Sequence, residues 1–196
     1  MLEPACGAVK VVAGPMGAGK THWLVRWIHQ YVQAGATVVL VTSTVDTREE
    51  RSVTRVLSAS APDVADRVRS VRVERVGQAA QVAGLQPSAA VWAIDEGQFF
   101  DADLDEGCAA LADAGATVLV SALDTNWRRE PFAHVARLMA GAESCQKLAA
   151  ICATCKRAAA FTARSAPVRA DAKFVVGDAG YHPACRGCHT QPASEE

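Results

Sequence analysis

The amino-acid sequence predicts an α/β fold with a mainly parallel sheet and a small metal-held region at its C-terminal end. Three observations support this prediction. Short apolar segments rich in β-branched residues alternate with segments of helical periodicity along most of the chain. A glycine-rich segment ending in Lys-Thr follows the first of these apolar segments. Two close pairs of cysteines lie near the C-terminal end, where glycines and prolines replace the long periodic segments.

The composition is typical of a globular protein with one main domain. The chain has 196 residues, of which 50% are hydrophobic and 21% charged, and its formal net charge is −1. This charge provides little attraction for nucleic acid, so we expect no nucleic-acid partner. No apolar run is long enough to span a bilayer, so we expect no association with a membrane. The N-terminus lacks the pattern of a signal peptide, which favours a cytoplasmic location. In that reducing compartment, the seven cysteines favour metal ligation over disulfides.

The first helix has the clearest pattern among the predicted elements, because Trp23, Leu24, Trp27, Ile28 and Tyr31 recur at helical spacing. The apolar segments predicted as strands are residues 9–13, 37–42, 68–73, 89–94 and 117–123. Helix-compatible stretches lie between several of these strands. Parallel neighbours need crossover connections, which helices usually supply, so the alternation predicts a parallel sheet covered on both faces.

The glycine-rich segment fits the pattern G-x-x-x-x-G-K-[ST] of a phosphate-binding loop and lies between a predicted strand and a predicted helix. Glycines let successive N–H groups converge on phosphate oxygens, and the helix points its positive N-terminal end at the same anion. Lys20 would bind the β- and γ-phosphates of ATP, and Thr21 would supply a hydroxyl to Mg²⁺. The predicted ATP- and Mg²⁺-binding residues of the loop are Gly14, Pro15, Met16, Gly17, Ala18, Gly19, Lys20 and Thr21.

An acidic pair, Asp95 and Glu96, follows the fourth predicted strand. In a parallel sheet the carboxyl ends of the strands line the ligand crevice, so Asp95 would emerge beside the phosphate loop and organise Mg²⁺, through water. Glu96 is then the natural general base, because a carboxylate can accept a proton from an attacking hydroxyl or orient a water. The acidic pair and the loop together predict ATP-dependent phosphoryl transfer.

The cysteine pairs are Cys152 with Cys155 and Cys185 with Cys188, and each has the C-x-x-C spacing. Each pair can hold one side of a tetrahedral ion, and four thiolates form a closed, structural zinc site. The segment between the pairs, residues 156–184, is longer than the usual ribbon spacing of about 15 to 20 residues, which leaves room for an extended loop. A redox role for either pair is the alternative. His182 or His189 could also replace a cysteine ligand.

These motifs resemble those of the zinc-containing thymidine kinase family, the type II or cellular type. The resemblance is collinear over nearly the whole chain and includes residues 46–48, 95–100, 123–124 and 131–132. It implies a RecA-like P-loop domain at residues 1–148 and a zinc-binding lasso domain at residues 149–196 that closes over the nucleoside. It also implies ATP with Mg²⁺ as donor, phosphorylation of the 5′-hydroxyl of thymidine or a related pyrimidine deoxynucleoside in nucleotide salvage, and usually a homotetramer.

The resemblance also implies roles for individual residues. Glu96 resembles the general base of the family, Asp95 its magnesium-organising carboxylate, and Gln98 belongs to the same ATP- and Mg²⁺-binding motif. Asp46 and Arg48 resemble the acidic and basic pair of the loop after the second strand, where Arg48 would approach phosphate or substrate. The residues implied to hold the nucleoside are Met16, Leu123, Trp127, Phe132, Thr162, Val175, Val176, Gly177 and Tyr181.

Some segments depart from the family pattern. Residues 49–71 lack the expected serine-histidine signature, and residues 124–130 are an unusual version of the base-binding turn. Trp127 stands where the family usually has phenylalanine, which keeps an aromatic wall but changes its size. A pocket altered by one ring discriminates methyl-sized differences by only about 1 to 3 kcal/mol, so deoxyuridine or a 5-modified analogue stays an alternative substrate.

Two other functions are consistent with part of the pattern. A RecA-like ATPase acting on nucleic acid would share the phosphate loop, would use the acidic pair to activate water, and could bind nucleic acid through a zinc ribbon. The near-neutral charge and the lack of interleaved aromatic and basic residues argue against it. A kinase fold kept only as a binding module is the other possibility, and intact Lys20, Thr21, Asp95 and Glu96 argue against that.

Overall fold

The computed structural model describes residues 7–46, 53–100, 102–165 and 180–189. Its main sheet has six parallel strands in the order β3-β2-β4-β5-β1-β6. These are β1 (Ala8–Ala13), β2 (Val38–Ser43), β3 (Val68–Val73), β4 (Val91–Ile94), β5 (Thr117–Ala122) and β6 (Ser144–Lys147). The central strands are buried along most of their length, which is typical of a parallel sheet covered on both faces.

Helices cover both faces of this sheet. They are α1 (Lys20–Gln33), α2 (Val53–Ser60), α3 (Pro62–Ala65), α4 (Ala79–Ala83), α5 (Leu104–Asp113) and α6 (Ala133–Gly141), and 3₁₀ turns form at Val76–Gln78, Pro87–Ala89 and Gly97–Phe99. One apolar core joins the sheet to α1, α2 and α3, with Leu24, Ile28 and Leu57 fully buried. The other core lies against α4, α5 and α6 and contains Trp92 and Phe100. Two separate cores therefore hold the sheet in the middle of a three-layer arrangement.

The first helix begins directly after the phosphate loop. Gly19 adopts a left-handed conformation, with φ 82° and ψ 19°, and α1 starts at the next residue. The helix buries Leu24, Ile28 and Val32 against the sheet, on one face at helical spacing. Its C-terminal end is closed by Gly35, which has a φ of 85° that L-residues rarely adopt. Burial of this face fixes the direction in which the N-terminus of the helix points.

A smaller region follows the last strand of the main sheet. Two short hairpins form it, one from β7 (Ala150–Ile151) with β8 (Ala158–Ala159) and one from β9 (Phe161–Arg164) with β10 (Tyr181–Ala184). The cysteine pairs lie in the turn between β7 and β8 and directly after β10. We call residues 150–165 and 180–189 the cysteine region.

The predicted fold class is confirmed, and each predicted strand is present with its ends shifted by a few residues at most. β6 was not predicted, because this edge strand is polar and exposed along its length. Ala89 belongs to a 3₁₀ turn rather than to β4, and Leu123 lies just beyond β5. Among the described residues, no helix combines the length and the apolar character needed to cross a membrane.

Candidate functional site

The phosphate loop connects β1 to α1 and curls around the side chain of Lys20. Gly14, Gly17 and Gly19 have φ values of 153°, 73° and 82°, a backbone path that favours glycine. A side chain at Gly14 would place its Cβ only 2.6 Å from the carbonyl oxygen of Leu148, so the strand end is also crowded. The Lys20 Nζ donates to the carbonyl oxygen of Pro15 at 2.8 Å and is held inside the curve of the loop. The geometry is that of an anion-binding loop at a helix N-terminus.

Asp95 follows β4 at the carboxyl edge of the sheet. Its side chain is buried, and its Oδ1 accepts a hydrogen bond from the Ser121 Oγ at 2.6 Å. Ser121 in turn pairs with Val12 of β1, one residue before the last residue of that strand. The carboxylate of Asp95 therefore lies at the edge from which the phosphate loop begins, held by a hydroxyl of the strand between them.

Glu96 adopts a left-handed backbone conformation, with a φ of 52°. Such a conformation is uncommon for a non-glycine residue and is a form of strain that recurs at functional sites. The Gln98 Nε2 donates to the Glu96 Oε2, while the Gln98 Oε1 accepts from the backbone N of Leu123 at 2.9 Å. The His134 Nε2 donates to the Gln98 carbonyl at 3.2 Å. A chain of hydrogen bonds thus fixes the direction of the Glu96 carboxylate.

The turn of residues 123–132 lies after β5. The Asn126 Oδ1 accepts from the backbone N of Arg128 at 2.9 Å and from that of Glu130 at 3.0 Å, which closes the turn. Trp127 is buried at its tip, and the Arg128 guanidinium lies 4.6 Å from its ring centroid. The Trp127 carbonyl accepts from the His189 Nε2 at 2.9 Å, so the turn is attached to the cysteine region.

The four cysteine sulfurs form one cluster. The Sγ atoms of Cys152, Cys155, Cys185 and Cys188 lie within 4.8 Å of one another, and the cysteines are free thiols. The cluster of possible metal ligands among the described residues consists of the four cysteines, and neither His182 nor His189 belongs to it. His182 contacts Ser165, and His189 contacts the Trp127 carbonyl.

The thiols of the cluster are close enough to change one another's ionisation. The hydrogen bond from Arg157 lowers the pKa of Cys155 to about 6. The neighbouring thiols of Cys155 and Cys185 instead raise the pKa of Cys188 to about 12. Four thiolates this close together repel one another unless a cation lies between them. The donor set and its spacing fit tetrahedral zinc and leave no position for a reactive water, as expected for a structural ion.

The phosphate loop also contacts the cysteine region. The backbone N of Met16 donates to the buried Thr162 Oγ1 at 2.9 Å. Ala18 packs against the apolar cluster that contains the cysteines, and Pro183 lies 3.8 Å from the position that a Cβ at Gly17 would take. The loop is therefore hydrogen-bonded to β9 and faces β10 of that region.

The structure places most of the predicted site residues along one edge of the molecule. The phosphate loop, Asp95, Glu96 and Leu123 meet at the carboxyl ends of β1, β4 and β5, and Phe132 precedes α6. Tyr181 begins β10, where the Arg164 guanidinium lies 5.1 Å from its ring centroid.

The remaining predicted site residues belong to connections. The backbone carbonyl of Asp46 accepts from the Arg72 Nη1 at 3.3 Å, next to the end of β2. The predicted residues Arg48, Val175, Val176 and Gly177 lie outside the described residues.

Sequence reasoning missed several residues of this site. In the sequence, Ser121 is a single hydroxyl in an apolar strand and has no motif around it. In the structure it donates a hydrogen bond to the Asp95 carboxylate. His134 gave no signal, because a single histidine in an amphipathic helix usually satisfies a local contact. Asp124 belongs to the motif at residues 123–124, but Lys147 had no signal, and their side chains form a 2.7 Å ion pair.

Comparison with known proteins identifies similar sequences. A family model described as thymidine kinase matches residues 7–189. Human cytosolic thymidine kinase is 35% identical over 195 residues, which cover 96% of this chain and 75% of the human protein. Thymidine kinase of Mesomycoplasma hyopneumoniae is 35% identical over 185 residues, covering 94% of this chain and 96% of that protein. Thymidine kinase of Porphyromonas gingivalis is 34% identical over 195 residues, covering 96% and 87%.

Proposed function

The chain belongs to the thymidine kinase family, and on this premise we propose that it transfers the γ-phosphoryl group of ATP to the 5′-hydroxyl of thymidine or a closely related pyrimidine deoxynucleoside. The observation that carries the proposal is the position of Glu96. Its carboxylate is directed by Gln98 at the edge of the sheet where the phosphate loop begins, and such a carboxylate suits a general base.

The phosphate loop would bind the triphosphate. Its N–H groups and the N-terminus of α1 attract anions, and Lys20 would exchange its contact with the Pro15 carbonyl for the β- and γ-phosphates. Thr21, in the first turn of α1, and Asp95, through water, would hold Mg²⁺, since hydroxyl and carboxylate oxygens are the ligands this ion prefers. When bound, the ion offsets negative charge on the phosphates as the γ-phosphoryl group departs.

Glu96 would accept the proton of the nucleoside 5′-hydroxyl. The bond formed joins that oxygen to the γ-phosphorus, and the bond broken joins the γ-phosphorus to the oxygen bridging to the β-phosphate. The proton resides on Glu96 until solvent takes it. Gln98 would keep the carboxylate directed at the hydroxyl, because its amide is itself fixed by Leu123.

The nucleoside would lie between the sheet edge and the cysteine region. Met16, Leu123, Trp127 and Phe132 would surround the base, and Thr162 and Tyr181 would approach from the cysteine region. Residues 149–196 would form a lasso domain, in which Val175, Val176 and Gly177 would contact the nucleoside. Zinc at the cysteine cluster would hold together the two ends of the lasso. Family membership also supports a homotetramer and a cytoplasmic location.

The decisive experiment incubates the purified protein with labelled ATP, Mg²⁺ and a panel of nucleosides, with and without DNA. Label on thymidine or a related deoxynucleoside supports the proposal and ranks the possible substrates. Free phosphate whose release depends on DNA would contradict it and would support a motor acting on nucleic acid. Label on no nucleoside, from protein with a full complement of metal, would also contradict it.

A further inference from the structure

Met16 and Ala18, in the middle of the phosphate loop, contact the cysteine region, and Gly17 between them faces Pro183. The Met16 N–H donates to the Thr162 Oγ1 at 2.9 Å. Ala18 packs against the apolar cluster that contains Cys152 and Cys185. A chain segment with three glycines has many accessible conformations when unfolded, so contacts from outside add to the internal Lys20 contact in restricting the loop to one of them.

The strands that make these contacts are themselves anchored at the cysteines. Thr162 of β9 and Pro183 of β10 are directly opposite each other in the antiparallel pair. The Pro183 carbonyl accepts from the backbone N of Ala153 at 2.9 Å, within the turn that carries Cys152 and Cys155. Cys185 follows Pro183 by two residues. An ion bound by both cysteine pairs would therefore fix the two strands on which the loop rests.

We propose that Thr162 is a positioning residue for the phosphate loop, and that metal at the cysteine cluster raises the affinity for the nucleotide by holding Thr162 in place. This inference rests on the proposed function, since it concerns the binding of the ATP donor. It assigns the Thr162 hydroxyl a role toward the loop that is separate from contact with a nucleoside. The metal then organises both sides of the site rather than the nucleoside side alone.

The test compares Thr162→Val with Thr162→Ser. Valine keeps the branched shape but cannot accept the Met16 N–H, whereas serine keeps the hydroxyl. Binding of MgADP and MgATP is measured by calorimetry without any nucleoside, so that a change in the base pocket does not contribute. Loss of one buried hydrogen bond predicts about three- to tenfold weaker nucleotide binding for Thr162→Val and a smaller change for Thr162→Ser. Zinc content should be equal in all three proteins, because Thr162 is not a ligand.

Reciprocal coupling gives a second measurement that does not depend on activity. If metal favours nucleotide binding, then nucleotide must favour metal binding by the same factor. Saturating MgADP should therefore lower the equilibrium transfer of zinc to a competing chelator in the wild-type protein, and should do so much less in Thr162→Val. Chelation should weaken nucleotide binding more in the wild type than in Thr162→Val, because the variant has already lost the contact.

Two results would overturn the inference alone: unchanged nucleotide affinity in Thr162→Val, or zinc retention that does not respond to MgADP in a wild-type protein that binds it. A metal-loaded wild-type protein that binds neither MgATP nor MgADP would overturn the proposed function together with this inference. Nucleotide binding by the wild-type protein therefore separates failure of this inference from failure of the proposed function.

Discussion

The Lys147 Nζ lies 2.7 Å from the Asp124 Oδ2, so that an ion pair spans the carboxyl end of β1. Lys147 ends β6 and Asp124 follows β5, and β1 lies between these strands. Ala13, the last residue of β1, pairs with Lys147, and its carbonyl accepts from the backbone N of Leu148 at 2.7 Å. The ion pair therefore lies over the first residues of the phosphate loop and attaches β6 to the turn of residues 123–132.

Replacing Lys147 with methionine should destabilise the protein. The Asp124 side chain is only 4% exposed, and apart from the ion pair with Lys147 its oxygens have no hydrogen-bond partner among the described residues, so the buried charge would lose its compensation. Because Lys147 is half exposed, we expect a loss of about 1 to 3 kcal/mol in the free energy of unfolding, below that of a fully buried pair. Urea denaturation measures it, and Lys147→Met with Asp124→Asn should recover part of the loss. If Lys147→Met is as stable as the wild type, the ion pair with Asp124 does not stabilise the fold.

Glu96→Gln should lower turnover by about two to four decades, the usual effect of losing general-base assistance. Glutamine keeps the size of the side chain but cannot accept the proton. Binding of MgATP, measured by calorimetry, should stay within error of the wild type. Glu106→Gln, an exposed change on α5, is the matched control and should keep full turnover. Normal turnover in Glu96→Gln would remove this carboxylate from the chemistry.

Glu96→Gly should be inactive and yet more stable than Glu96→Gln. The left-handed conformation of residue 96 costs a non-glycine residue on the order of 1 kcal/mol, which glycine does not incur. Part of this gain is lost to the greater flexibility of glycine in the unfolded chain, so we expect a difference of about 0.5 to 1 kcal/mol. Chemical denaturation of both variants measures it. If the glycine variant is the less stable one, the backbone at this position is not strained.

Cys185→Ser should lower the zinc content well below one ion per chain and weaken nucleoside binding, because a site with three thiolates holds the cysteine region poorly. Elemental analysis and calorimetric titration with thymidine are the measurements. Cys145→Ser provides the control, since Cys145 is exposed on β6 and lies outside the cluster. A variant lacking Cys185 that keeps stoichiometric zinc and normal nucleoside affinity would exclude this structural role.

The ion pair between Asp105 of α5 and Arg137 of α6 should contribute to stability in a pH-dependent manner. The hydrogen bond from Arg137 lowers the pKa of Asp105 below its ordinary value of 3.8. A lowered folded-state pKa gives a contribution that is present above the unfolded-state value and is lost as the pH falls through the folded-state value. Arg137→Met should therefore lower the melting temperature slightly near pH 7, and the difference should shrink below about pH 4. A difference independent of pH would indicate lost packing instead.

Much of the fold was predictable because its signals are local. The first helix and the strands at residues 9–13 and 68–73 follow from apolar periodicity and β-branched residues, which act over a few positions. β6 was not predictable from its exposed, polar sequence, since only its pairing with β1 makes it a strand. Arg48, Val175, Val176 and Gly177 lie outside the described residues, so their assignments stay predictions.

The sequence by itself determined the chemistry available to this protein: the spacing of Gly14, Lys20 and Thr21, the acidic pair at Asp95, and the two cysteine pairs are properties of neighbouring residues. Only the tertiary structure decided how these parts hold one another. Ser121 with Asp95, Thr162 with Met16, and Lys147 with Asp124 each join residues that are distant in sequence. Such contacts depend on strand order and register, which many residues set together and no short pattern records.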